Sequence, residues 1–87
     1  MKQRKWTEKW IPNIDSVPLQ PLLELCGEHR ILIENHRGVM VYESECIQVR
    51  VAFGSLSIEG QNLRICRMQN HQLVIQGMIG AVRVLRG

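Results

Sequence analysis

Cysteines, histidines, carboxylates and glycines are the residues of this 87-residue chain whose types could carry chemistry, and their spacing does not assemble a site. Cys26, Cys46 and Cys66 are odd in number and form no CxxC pair, which argues against a disulfide framework and a standard zinc site. They read as buried or half-buried free thiols in a reducing compartment. His29, His36 and His71 form no HxH or HxxxH arrangement, so a metal site would need tertiary convergence that the spacing does not supply. Each cysteine falls at a strand end or turn without a local activating motif for nucleophilic catalysis. Glu34, Glu43, Glu45 and Glu59 alternate with apolar residues or sit in turns, which is the pattern of a solvated face. Paired-carboxylate hydrolysis would need two of them in a cleft. Gly54, Gly60, Gly77 and Gly80 do not spell a phosphate loop. The expectation is a non-enzymatic protein with no catalytic, cofactor or metal site.

The elements that would position any site are β-strands. From Leu23 onward the apolar period is two, punctuated by glycine and by turn-forming polar residues. Ile47, Val49, Val51 and Phe53 line one face of the longest strand, with Gln48, Arg50 and Ala52 on the other. Asn35, Gly38, Gly54 and Gly60 read as turn residues, and Gly77 as a break or bulge. The phrase Leu56-Ser57-Ile58-Glu59-Gly60 returns 17 residues later as Leu73-Val74-Ile75-Gln76-Gly77. About eight short strands at roughly eight-residue spacing give an all-β fold. Two architectures fit: a small antiparallel meander curled into a barrel or two-layer sandwich, or a short β-solenoid with coils of roughly 16–17 residues. Two-residue turns favour hairpins over solenoid corners, hence the meander. Its expected core is Ile33, Val49, Val51, Phe53, Ile58, Ile65, Ile75 and Val82.

The net charge of +3 lies wholly in the first ten residues, where Lys2, Arg4, Lys5 and Lys9 face only Glu8. The remaining seven arginines are balanced by Asp15 and six glutamates, so the body is neutral. A nucleic-acid binder would carry its excess charge as a patch on the folded surface, with aromatics for stacking, so no nucleic-acid partner is expected. Residues 1–21 read as a flexible basic, tryptophan-containing arm and proline-rich linker, and residues 22–87 as the β-domain. Trp6 and Trp10 share a face at helical spacing, with Lys5 and Lys9 beside them, a pattern suited to docking on a membrane surface or partner. No apolar run approaches the ~20 residues that span a bilayer, and the N-terminus lacks the apolar segment of a signal peptide. Cytoplasmic residence is therefore expected.

The run Ile31-Leu32-Ile33-Glu34-Asn35-His36-Arg37-Gly38-Val39 resembles the IENHRG-type segment of the YabP/YqfC family of sporulation proteins. Gly54-Ser55-Leu56-Ser57-Ile58-Glu59-Gly60-Gln61-Asn62-Leu63-Arg64-Ile65 is similar to that family's G-x-L-x-I-x-G-x-x-L-x-I segment, and Leu73-Val74-Ile75-Gln76-Gly77-Met78-Ile79 to its I-x-G-x-I close. The resemblance covers about residues 21–85, and the length and lone β-module suit the YqfC-type members. It implies a protein of endospore-forming Firmicutes, made in the mother cell, that assists spore-envelope assembly through protein–protein contacts. The basic tryptophan arm, which departs from the family pattern, supplies an alternative expectation: a peripheral adaptor docking on the forespore outer membrane through that arm. The family carries no established catalytic residues.

Size adds one expectation. A domain below about 70–80 residues rarely draws more than ~3–5 kcal/mol of net stability from its own core. Only 5% of this chain is aromatic, so that core is aliphatic. The terminal segment, residues 79–85, is apolar apart from Arg83 and has no proline, which makes it an unprotected edge. A homo-oligomer or an obligate complex with a protein partner is expected.

Overall fold

Aliphatic residues at every second position build six antiparallel strands in a computed structural model that describes residues 20–87. These are β1 (Leu22–Cys26), β2 (Arg30–Glu34), β3 (Val39–Glu43), β4 (Cys46–Val51), β5 (Gly54–Met68) and β6 (Gln72–Arg86). They form one sheet in the order β1-β2-β6-β5-β4-β3. Lys5, Trp6, Lys9 and Trp10 of the arm lie outside the described residues.

The all-β reading holds, and its finer geometry needs correction in three respects. Six strands replace the expected eight: the segments either side of Gly77 run on as β6, and those either side of Gly60-Gln61-Asn62 run on as β5, because that triplet does not reverse the chain. It is a kink inside β5, where the register against β6 shifts between Glu59 and Gly60 and again between Gln61 and Arg64. Gly77 is the matching irregularity in β6, as expected, with φ 142° opposite Asn62 at φ 54°. Every strand pair is antiparallel, so the solenoid, which stacks parallel coils, is excluded. The sheet also does not close into a barrel: β1 and β3 stand at opposite ends of the strand order. The meander is restricted to β3 through β6, and the β1–β2 hairpin adds beside β6 instead of beside β3.

The long β5–β6 hairpin organises everything else. β4 pairs with β5 only as far as Glu59, and β2 pairs with β6 only as far as Gln76. One half of the hairpin therefore carries β3–β4, and the other carries β1–β2. Ile47, Val49, Val51, Leu56 and Ile58 come from the first half, and Ile31, Ile33, Leu63, Leu73 and Ile75 from the second. All ten are buried in one continuous cluster, so the kinked sheet folds its inner face around a single core. Of the expected core, Ile33, Val49, Val51, Ile58 and Ile75 are inside, whereas Phe53, Ile65 and Val82 pack only partly buried against it. At roughly 25 cal/mol per Å² of apolar area, these ten aliphatic side chains are the principal stabilising term.

Candidate docking edges and the loop that frames them

The crossover from β2 to β3, residues 35–38, fastens the two halves together. Asn35 takes the left-handed conformation expected of a turn residue, with φ 66°. Its backbone N–H donates to the His71 carbonyl at 2.6 Å, and its Nδ2 donates to the Gln20 carbonyl at 2.9 Å. Arg37 N–H then donates to the Arg50 carbonyl at 2.7 Å, and Arg50 N–H donates back to the Gly38 carbonyl at 2.8 Å. Between them sits His36, only 5% exposed. Its Nδ1 accepts from Gly38 N–H at 3.0 Å, which leaves the ring proton on Nε2 to donate to the Gln69 carbonyl at 3.1 Å. Asn35 and Gly38 read in the sequence as turn residues, but the segment is a crossover to a strand that is not the neighbour of β2, and nothing local shows that the His36 ring turns inward.

A second polar chain crosses β4, β5 and β6. Cys46 Sγ lies 3.6 Å from Ser57 Oγ, Ser57 Oγ donates to Glu59 Oε2 at 3.2 Å, and Arg83 Nη1 donates to the same oxygen at 3.3 Å. A serine beside a carboxylate invites a catalytic reading. Ser57 is only 1% exposed, however, and it meets a thiol and a carboxylate already engaged by an arginine. The chain reads as a cross-strand brace. Cys26 and Cys66 are exposed, contrary to the expectation of buried or half-buried thiols, and Cys46 is intermediate. Both exposed thiols sit where the sheet is covered on one face only: Cys26 on the outermost strand, Cys66 beside the register shift between Ile65 and Arg67. Among the described residues, no group of three or more His, Cys, Asp or Glu side chains is arranged to hold a metal ion.

What the fold does present is strand edge. β3 and β1 end the sheet, and β6 has a neighbour on only one side beyond Ile79, whose N–H reaches the Glu28 carbonyl at 3.0 Å. The expected edge at residues 79–85 is thus largely present, from Gly80 onward. The second half of β5, which β4 does not reach, is a further free stretch. β3 shifts register between Val39 and Val41, β6 shifts beside Gly80, and the second half of β5 shifts at two places. Ile65 N–H on that half of β5 also donates to Tyr42 Oη at 3.0 Å. β1 pairs in unbroken register, Leu22 with Glu34 through Cys26 with Arg30, and so does the free end of β6, Ala81 with Glu59 through Arg86 with Gly54. No described helix is long and apolar enough to cross a membrane.

The described residues form a small, open antiparallel β-sheet of six strands. The chain belongs to the YabP family, whose model matches residues 20–86. It is similar to YqfC of Bacillus subtilis (strain 168), described as an uncharacterised protein. The two are 28% identical over 89 residues, covering 95% of this chain and 96% of that protein. No solved structure matches. The segments that carried the resemblance fall on β2 with the 35–38 crossover, on β5, and on the first half of β6, which are the parts that build the core and its fastening.

Proposed function

We propose that this protein is a non-enzymatic assembly module that acts in the mother cell during sporulation and contributes to spore-envelope formation through protein–protein contacts. The observation that carries the reading is YabP family membership across residues 20–86, joined to a sheet that leaves backbone edges unpaired among its described strands. Unpaired N–H and C=O rows are templates for strand addition, one way a sheet recruits a partner. The test is a pull-down of the tagged full chain from sporulating cells, read against the same cells in vegetative growth. A defined partner present only during sporulation, together with a sporulation defect on deletion of the gene, is the expected result. Normal spore yield in the deletion strain would remove the proposal.

A second reading rests on the sequence of the arm, where Trp6 and Trp10 stand four residues apart with Lys5 and Lys9 next to them in the chain. It makes the protein a peripheral adaptor on the forespore outer membrane. Co-sedimentation of the full chain with anionic vesicles, lost on replacing both tryptophans by alanine, would favour it. Equal sedimentation of the two proteins would dismiss it.

A further inference from the structure

We infer that residues 9–15 of this chain's own arm lie extended and antiparallel beside β3, in the cleft between β3 and the second half of β5, and shield that edge from other chains. The inference goes beyond the assembly reading, does not depend on it, and competes with the membrane reading for Trp10. By register, Tyr42 lies opposite Ile47 and Met68 opposite Leu73, and both partners are fully buried. Tyr42 and Met68 therefore sit on the inner face, yet they are 55% and 54% exposed. Met40, at the β3 bulge, is 47% exposed. The bonds between these two strands gather at one end: Leu63 N–H donates to the Ser44 carbonyl at 2.8 Å, and Ile65 N–H to Tyr42 Oη at 3.0 Å. Toward Gly38 and Met68 the rim of the core stands open.

Where the described chain begins is what brings the arm to this opening. Asn35 Nδ2 holds the Gln20 carbonyl, so the preceding residues leave the sheet at the crossover. Two adjoining clefts lead on from there. One runs from Glu34 and Asn35 over residues 69–71, and the other from the same turn to the gap between Gly38 and Met68. Residues 15–20 reach roughly 17 Å when extended, ample to follow the crossover as far as Arg37. The arm's alternation then fits the opening. Trp10, Pro12 and Ile14 share one face of an extended segment, with Lys9 and Asp15 on the other. With Trp10 opposite Tyr42, an aromatic cross-strand pair, Lys9 stands opposite Glu43 and Asp15 within a residue of Arg37. Glu43 and Arg37 are exposed and form no ion pair among the described residues. Pro12, with no N–H to donate, falls at Met40, where β3 bulges. The core's other opening leaves Leu25 and Val84 exposed on the inner face, but Arg86 shares that face beside Val84 and opposes a basic arm.

Both tryptophans lie in the arm and none in the β-domain, so indole fluorescence reads the arm directly. The experiment is acrylamide quenching of Trp10 in the full chain carrying Trp6→Phe, in buffer and in urea. Met68→Lys, Val84→Lys, Glu43→Lys, and Glu43→Lys together with Lys9→Glu are then compared in that background. The expected result is a blue-shifted Trp10 quenched at least threefold less in buffer than in urea, at every protein concentration. Met68→Lys and Glu43→Lys should each raise quenching toward the urea value, and Lys9→Glu should restore protection to the Glu43→Lys chain. Val84→Lys, matched to Met68 in exposure, should change nothing. Circular dichroism establishes that each variant is folded; should Met68→Lys unfold, the charge reversal and its rescue carry the test. A Trp10 quenched as readily in buffer as in urea would overturn the inference. So would protection that grows with concentration, which would put the arm on a second copy, or protection lost in Val84→Lys and kept in Met68→Lys, which would put it at the other opening. None of these outcomes touches the assembly reading, which stands or falls on the sporulating-cell pull-down and the deletion.

Discussion

His36 and the Glu59–Arg83 pair show how placement decides what a polar contact is worth. His36 satisfies two backbone groups; removing the ring orphans Gly38 N–H, whereas the Gln69 carbonyl keeps the Gln72 N–H at 3.3 Å. An orphaned donor costs about 1–3 kcal/mol, so His36→Ala should destabilise the protein by about that much, read from the urea midpoint at unchanged slope. The Glu59–Arg83 pair is partly solvated, where screening and side-chain entropy leave little net gain. Arg83→Ala should therefore shift stability by no more than about 1 kcal/mol in the same assay. Val51→Asp belongs at the other extreme. It places an unpaired carboxylate in the aliphatic core and should abolish the cooperative transition outright. The core was legible one residue at a time, because alternation marks which side chains share a face. The inward turn of His36 was not, since its partner Gln69 lies far along the chain, in the β5–β6 turn.

At the scale of elements, glycine carries two different meanings that composition cannot separate. Gly54 opens β5 after a turn, whereas Gly60 and Gly77 sit inside long strands and let them kink. A Cβ on Gly60 would overlap the Met78 carbonyl, and one on Gly77 would come within 2.6 Å of the Asn62 carbonyl and 2.8 Å of Leu63 Cα. Gly77 also has φ 142°, a conformation closed to L side chains. Gly77→Ala should cost about 3 kcal/mol or more, through steric strain and the unfavourable backbone together. Gly80→Ala makes the contrast within the same strand. Its Cβ would meet the Glu59 carbonyl at an ordinary 3.5 Å, so a change within about 1 kcal/mol is expected, with melting temperature as the measure of both. Whether a glycine turns the chain or only bends it depends on where the following segment pairs. Leu63 and Ile65 continue along β6 in place of folding back on Leu56 and Ile58, and that choice is made by long-range partners.

At the scale of the whole molecule, period-two patterning made the all-β class readable, and far-UV circular dichroism of the full chain should show β-structure with no dominant helical signal. Strand order was not readable. The β1–β2 hairpin could have continued into β3 as a simple meander; it docks on β6 because Ile31 and Ile33 find Ile75 and Leu73 there, across a wide sequence separation. The edges of the described sheet followed from that order. One further consequence concerns protein synthesis. β6 is the last of the six strands to leave the ribosome, yet it alone borders both β5 and β2. Until Leu73 and Ile75 emerge, Ile31 and Ile33 have only β1 beside them, and the two earlier hairpins remain separate, half-greasy fragments. A message broken before those codons would yield a product with nothing to hide its aliphatic faces, and cellular proteases should clear it instead of letting it reach an assembly site.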